Sequence, residues 1–412
     1  MSSSAQDRPA RTVLVHVGAP KTGTSFVQDV LFQHREALAR QGVLYPADRF
    51  DAHFLAALDL MRMPWGGLEA EAIGAWDKLA GSVRRASGAS IVSHEILATA
   101  SRVQVGRALE SLGHDRDTEI HLVLSVRDLV RQIPAEWQEN IKHRAALSYR
   151  AFLDRIQDPR REGRIPTWFW GVQEIPDILD RWGRDLPPEH VHVVTVPPAG
   201  GSPDLLWKRF VEAFGLDGID LQLDGERVNP SLGAAETTLI RRINRAANEE
   251  LDPAFYRPLV RELVAHQTLS RRTETPRLAL PPDVHPWASE LERSWIAEIR
   301  ARGYDVIGDL DDLRGAPPAP DYADPDHPDE ALVAGAAVDA LKAVLLDHVR
   351  LQRELGQVQS ELHDTQRLLE RAYLRPTYRW REKFVRRLES GETGRLMMKA
   401  YRRARGRSSR SA

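Results

Sequence analysis

The segment from Thr12 to Leu38 constrains the fold more than any other. Thr12-Val13-Leu14-Val15-His16-Val17 is a short β-branched run that stops at a Gly/Pro turn, the pattern of a buried strand. Phe26, Val27, Val30 and Leu31 then recur at helical spacing, the pattern continues through Leu38, and Gly42 is placed to end the helix. Between strand and helix lies Gly18-Ala19-Pro20-Lys21-Thr22-Gly23-Thr24-Ser25, two glycines with four residues between them followed by two hydroxyl residues. Small residues let backbone N–H groups approach an anion, and a helix beginning near Thr24 adds its positive end. A simple structural turn is the competing reading of the same loop.

Further strands are expected at Val43 to Tyr45, Ser90 to Ser93, Ile120 to Val126 and Val191 to Val196, with amphipathic helices between several of them. That alternation predicts an α/β domain, a three-layer P-loop-like fold with a mostly parallel central sheet, over residues 10–310. The stretch 311–330 holds Ala316-Pro317-Pro318-Ala319-Pro320 and a series of Asp and Pro residues, and reads as an acidic, extended linker. Residues 331–373 contain no proline. Leu341, Leu355, Leu362 and Leu369 share one heptad position, and Val344, Leu351, Val358 and Ala372 the position three residues later, interrupted by His348 and Thr365. This pattern predicts an amphipathic helix, either a coiled coil joining copies of the chain or a helix folded back on the domain. The tail 374–412 carries 13 Lys and Arg against 3 Glu, a net of +10, which leaves −12 on the rest of a chain whose total is −2. Tyr378, Trp380, Phe384 and other apolar residues are interleaved with these charges, a composition that an anionic membrane surface attracts.

In a nucleotide-triphosphate loop the lysine directly follows the second glycine; here Thr24 holds that place and the lysine is Lys21, at the rim of the loop. Pro20-Lys21-Thr22-Gly23-Thr24-Ser25 resembles the loop of the sulfotransferase family that grips the 5′-phosphosulfate of 3′-phosphoadenosine 5′-phosphosulfate (PAPS), with one Thr-to-Ser change. The resemblance implies transfer of a sulfuryl group to a hydroxyl or amine on a small-molecule, lipid or carbohydrate acceptor, with 3′,5′-adenosine bisphosphate as the other product. Lys21, Thr22, Gly23, Thr24 and Ser25 would then hold the donor. A family arginine at the end of a later strand would hold the 3′-phosphate, and Arg127 follows Ile120 to Val126 in that position. The family's serine eight residues on is Ala135 here, and Lys142 is the substitute favoured among Gln132, Gln138, Lys142, His143 and Arg144.

The general base that takes the acceptor proton is expected after the strand Ser90 to Val92, where Ser93-His94-Glu95 stands, with Glu95 ranked ahead of His94. Capping of the next helix is the structural alternative for either residue. Asn229 and Ser231 read as turn and cap residues, Trp168-Phe169-Trp170 and Trp182 as packing residues, and nothing singles out His53.

The chain has no cysteine, which excludes disulfides, thiolate catalysis and thiolate metal sites. No His/Asp/Glu grouping has ligand spacing, so no metal is expected; a sulfuryl group carries less charge than a terminal phosphoryl group, and a lysine can neutralise its leaving oxygen. The polar residues Met1 to Thr12 and the lack of any run near the roughly 20 apolar residues of a membrane span point to a cytoplasmic protein, peripheral to the inner membrane face if the tail binds lipid. Two rivals stand beside the transferase: a P-loop kinase or NTPase with a modified loop, and a non-catalytic membrane-associated adaptor built on a degenerate nucleotide-binding domain.

Overall fold

A computed structural model describes residues 11–374 except 115, 203, 220 and 222–230, together with 380 and 383. Six strands form one sheet: β1 (Arg11–His16), β2 (Val43–Leu44), β3 (Gly88–Ser93), β4 (Thr118–Val126), β5 (Val191–Thr195) and β6 (Asp305–Ile307). Their order is β2-β3-β1-β4-β5-β6 and every neighbouring pair is parallel.

The two-residue period of a strand explains the three layers. Val13, Val15, Val92, Leu122 and Leu124 point to one side, where they pack with Trp76, Trp137 and Trp182. Leu14, Ile91, Val123 and Val194 point to the other, against Val27, Leu31, Trp207 and Phe210. Strands buried on both faces carry continuous apolar runs, which is why the first five were readable from sequence. β6 was not expected: it is three residues long, opens on Asp305 and buries only Ile307.

The anticipated first helix is two. Thr24–Gln33 ends at His34, and Arg35–Arg40 follows it, with Leu38 still buried. From β1 the chain moves outward to β2 and β3, and from β4 it moves the opposite way to β5 and β6. The carboxyl ends of β1 and β4 are therefore the point where the connections diverge, the usual position of a ligand in an open parallel sheet.

Residues 311–330 do not separate two bodies. The first compact unit runs to Ala340. Leu310 and Leu313 are buried, the Asp326 carboxylate accepts the backbone N–H groups of Tyr149 (3.0 Å) and Arg150 (2.8 Å) and pairs with Arg241 (2.8 Å), and the Pro325 carbonyl accepts from Thr238. An acidic composition predicts a segment held apart in solvent, whereas the Asp326 carboxylate meets donors that need one. One helix spans Glu330–Leu374; Val333, Ala336 and Ala340 at its start are buried in the first unit. In the second unit Leu341, Val344, Leu351, Leu355, Val358, Leu362 and Leu369 are all exposed. The basic tail, apart from 380 and 383, lies outside the described residues. Among the described residues no helix is long and apolar enough to cross a membrane.

Candidate functional site

The loop after β1 is pinned to β4. Ser125 N–H donates to the Gly18 carbonyl and Ala19 N–H to the Ser125 carbonyl, both at 2.6 Å. Beneath it runs a buried polar row: Ser93 Oγ is 2.8 Å from His16 Nδ1, His16 Nε2 is 3.1 Å from Ser125 Oγ, and Ser125 Oγ is 2.5 Å from Thr22 Oγ1, which donates to the Ala19 carbonyl. Burial pushes the His16 pKa down to about 4, so this row is neutral. The Thr22 hydroxyl is thus committed to the fold, and Thr22 can serve a ligand only through its backbone.

Two glycines are required here by space and by conformation. A Cβ on Gly18 (φ +102°) would lie 2.9 Å from the Cα of Glu95, so the loops after β1 and β3 touch at this point. Gly23 (φ +87°) leads the first helix in the left-handed region, where a Cβ would meet Leu206. Lys21 itself has φ 63°, uncommon for a residue with a side chain. No side chain caps the helix Thr24–Gln33 and no acidic residue stands in its first turn, so its leading N–H groups keep their capacity for an anion. Thr24 is buried and Ser25 exposed.

β4 runs directly into Arg127, and Asp128 caps the helix Leu129–Lys142 by accepting from the Arg131 N–H. Arg127 Nη1 donates to the Lys21 carbonyl (3.2 Å), and Gln132 Nε2 donates to the Pro20 carbonyl (2.6 Å). The remaining ends of both side chains are incomplete: Arg127 Nε and Gln132 Oε1 are buried without a hydrogen-bond partner. Such groups are rare in folded proteins and ask for an explanation. Burial, with Arg131 nearby, brings the Arg127 pKa down to about 10, which leaves it charged at neutral pH.

The Lys21 ammonium donates to Glu139 at 2.5 Å. Glu139 also meets Arg261 and His143 at 3.1 Å and Lys142 at 3.8 Å. Burial acts to raise its pKa, but the His143 hydrogen bond, Lys21 and Lys142 outweigh it and hold the carboxyl far below the usual range. Burial lowers Lys142 to about 8 and raises Glu136, which accepts from Gln173 at 3.1 Å, to about 7. Lys142 therefore shares Glu139 with Lys21. Gln132 was among the candidates beside Arg127, whereas Glu136, Glu139 and Arg261 were not expected as part of the loop's surroundings. Gln132, Glu136 and Glu139 fall at positions i, i+4 and i+7 of one helix, and this polar stripe on a largely buried helix was the available signal.

Glu95 stands against Gly18, and its Oε2 accepts from Gln28 on the first helix at 2.9 Å. Burial would raise its pKa, but His94, 3.9 Å away, the Gln28 hydrogen bond and its backbone hydrogen bond hold it low. His94 is lowered by burial, with Glu95 opposing. Burial thus opposes the charge on both groups, and each group favours the charged form of the other. His94 Nδ1 accepts the Ile96 N–H at 3.3 Å and caps the short turn Glu95–Thr99, so the capping alternative applies to His94 and leaves Glu95 the freer acceptor. His53 Nδ1 accepts from the Ser93 N–H, and its Nε2 is buried without a partner.

Phe169, Trp170 and Trp182 are buried packing residues, whereas Trp168 is half-buried and joins a row of rings. His94 stacks on Phe54 (centroids 5.0 Å apart), Phe54 meets Trp65 edge-on (5.6 Å), and Trp65 meets Trp168 (6.0 Å). Asn229 lies outside the described residues; Leu232, just beyond it, is clamped through its backbone by Gln138, at 2.9 Å to its carbonyl and 3.3 Å from its N–H. Comparison of the chain with family models, with curated proteins and with solved structures gives no match.

Proposed function

We propose that this chain is a sulfotransferase that moves a sulfuryl group from PAPS to a hydroxyl or amine acceptor. The observation that carries the reading is the junction of Lys21 and Arg127. The rim lysine of an uncapped strand-to-helix loop has its carbonyl held by an arginine whose Nε is buried and unpaired, at the point where the sheet connections diverge. In this reading the N–H groups from Gly23 to Ser25 receive the 5′-phosphosulfate, and Arg127 receives the 3′-phosphate. The acceptor oxygen or nitrogen attacks sulfur, a new bond to sulfur forms, and the bond from sulfur to the bridging phosphate oxygen breaks. The acceptor proton goes to the Glu95 carboxylate, and Lys21 transfers from Glu139 to the departing phosphate oxygen. 3′,5′-Adenosine bisphosphate then leaves.

The rings of Phe54, Trp65 and Trp168, running outward from His94, suit the flat or apolar face of an aromatic, lipid or carbohydrate acceptor. The exposed heptad rows of the terminal helix suit a second copy of the chain, which sedimentation of the chain with and without residues 341–412 would test. The tail suits an anionic membrane, read out by vesicle pelleting of the chain ended at Leu374.

Calorimetric titration of the full chain tests the central claim. Binding of 3′,5′-adenosine bisphosphate in preference to ATP with magnesium supports a sulfotransferase. The reverse preference overturns it in favour of a kinase or NTPase, and binding of neither overturns it in favour of the adaptor.

A further inference from the structure

At the opposite end of the sheet, four imidazole and carboxylate side chains from three neighbouring strands meet, joined by His190. Glu119 and His121 project from the start of β4, His192 from the start of β5, Asp305 from the start of β6, and His190 ends the short turn Pro188–His190 that leads into β5. Glu119 Oε1 lies 2.7 Å from His121 Nε2 and 3.9 Å from His190 Nε2, and the rings of His121 and His190 stack with centroids 4.3 Å apart.

We propose that Glu119, His121 and His190 bind a divalent transition-metal ion of the zinc type. One ligand atom from each of the three residues lies within 4.8 Å of the others. A tetrahedral ion with bonds of about 2.0–2.1 Å needs its ligands about 3.3 Å apart. The three side chains, all part-exposed, reach that geometry by small rotations, and a water can take the fourth position. Two imidazoles with one carboxylate favour zinc, cobalt, nickel or copper over magnesium or calcium, which prefer all-oxygen sites.

The neighbours fit the outer layer of such a site. His121 Nδ1 is 2.8 Å from His192 Nε2, and His192 Nδ1 is 2.6 Å from Asp305 Oδ2. Two neutral imidazoles bring two hydrogens to the three contacts between Glu119 and Asp305, so one contact lacks a donor. An ion between Glu119 and His121 Nε2 removes that conflict. His121 then donates from Nδ1 to His192, and His192 donates to Asp305, the orientation that ligating histidines usually receive from their surroundings. The ion would tie the beginning of β4 to the turn entering β5. It stands away from the transfer site and has no part in the proposed chemistry. His190 is far from Glu119 and His121 in sequence, so no ligand spacing could show the cluster.

The test uses the untagged full chain, stripped with a chelator and titrated with zinc and, separately, magnesium. Expected are one zinc ion per chain by calorimetry, a raised Tm with zinc and no effect of magnesium. His190→Ala changes a part-exposed turn residue and should weaken zinc binding tenfold or more while leaving the circular dichroism spectrum unchanged. Glu119→Gln gives the same readout should His190→Ala not fold. Absence of zinc binding at micromolar concentration overturns the proposal, as does unchanged affinity in the folded variants.

Discussion

The two ends of this parallel sheet are finished in different ways. At the carboxyl ends of β1 and β4 the polar groups are left incomplete: Arg127 Nε and Gln132 Oε1 have no partner, and the first helix has no side-chain cap. At the amino ends of β4, β5 and β6 the polar groups face one another in a row from Glu119 to Asp305 that is one hydrogen short with both imidazoles neutral. Unfinished hydrogen bonding costs stability in the free protein and is recovered when a ligand supplies the missing partner. In the proposed reading a large anion supplies the missing partners at the carboxyl end and a small cation does so at the amino end.

The largest effect should come from Lys21→Ala, which removes the cation meant for the departing phosphate oxygen. Turnover should fall about a thousandfold while the chain remains folded. Unchanged turnover in a sulfuryl-transfer assay would erase the contrast. Glu95→Gln should lower turnover about a hundredfold. His94→Asn should act weakly, because an Asn side-chain oxygen can also accept the Ile96 N–H that His94 Nδ1 holds. Since Glu95 is held below its ordinary pKa, turnover should rise with pH only in the acid range and be flat near neutrality. A limb below the ordinary histidine pKa that disappears in the His94 variant would make His94 the base.

Glu136→Gln sharpens the comparison through stability. Burial raises the folded carboxyl to about 7 from the ordinary 4.5, so its ionisation costs the folded state progressively as pH rises through that window and nothing below it. The variant should match the parent at pH 4 and exceed it at pH 8 by about 3 kcal/mol at most in chemical denaturation. Equal stability at both values would mean that Glu136 is solvated. Gly18→Ala should cost about 1–3 kcal/mol by the same measurement, since its Cβ would press on Glu95 from a left-handed backbone.

The loop was legible because a turn between a buried strand and a helix is a local event: Gly23 and Arg127 each stand at an element's end, and Lys21 lies two residues ahead of Gly23. Strands β1 to β5 were readable to within two residues for the same reason: a strand buried on both faces writes its limits in its own apolar run. What could not be read was assembled from distant segments. Glu139 acquires its importance from Lys21 and Arg261, and Glu119 from His190, through packing of elements that share no local pattern. The segment 311–330 was misjudged because composition records how a stretch behaves in water and carries no trace of the donors of Tyr149, Arg150 and Arg241 that await Asp326.

That last attachment fixes a length as well as a position. With Leu313 anchored in the core at one end and Asp326 stitched to a helix start at the other, the intervening run is a strap of set span. Added residues would have to bulge outward, and deletions would pull one anchor free. A segment that looks like spare rope in the sequence is cut to measure in the fold.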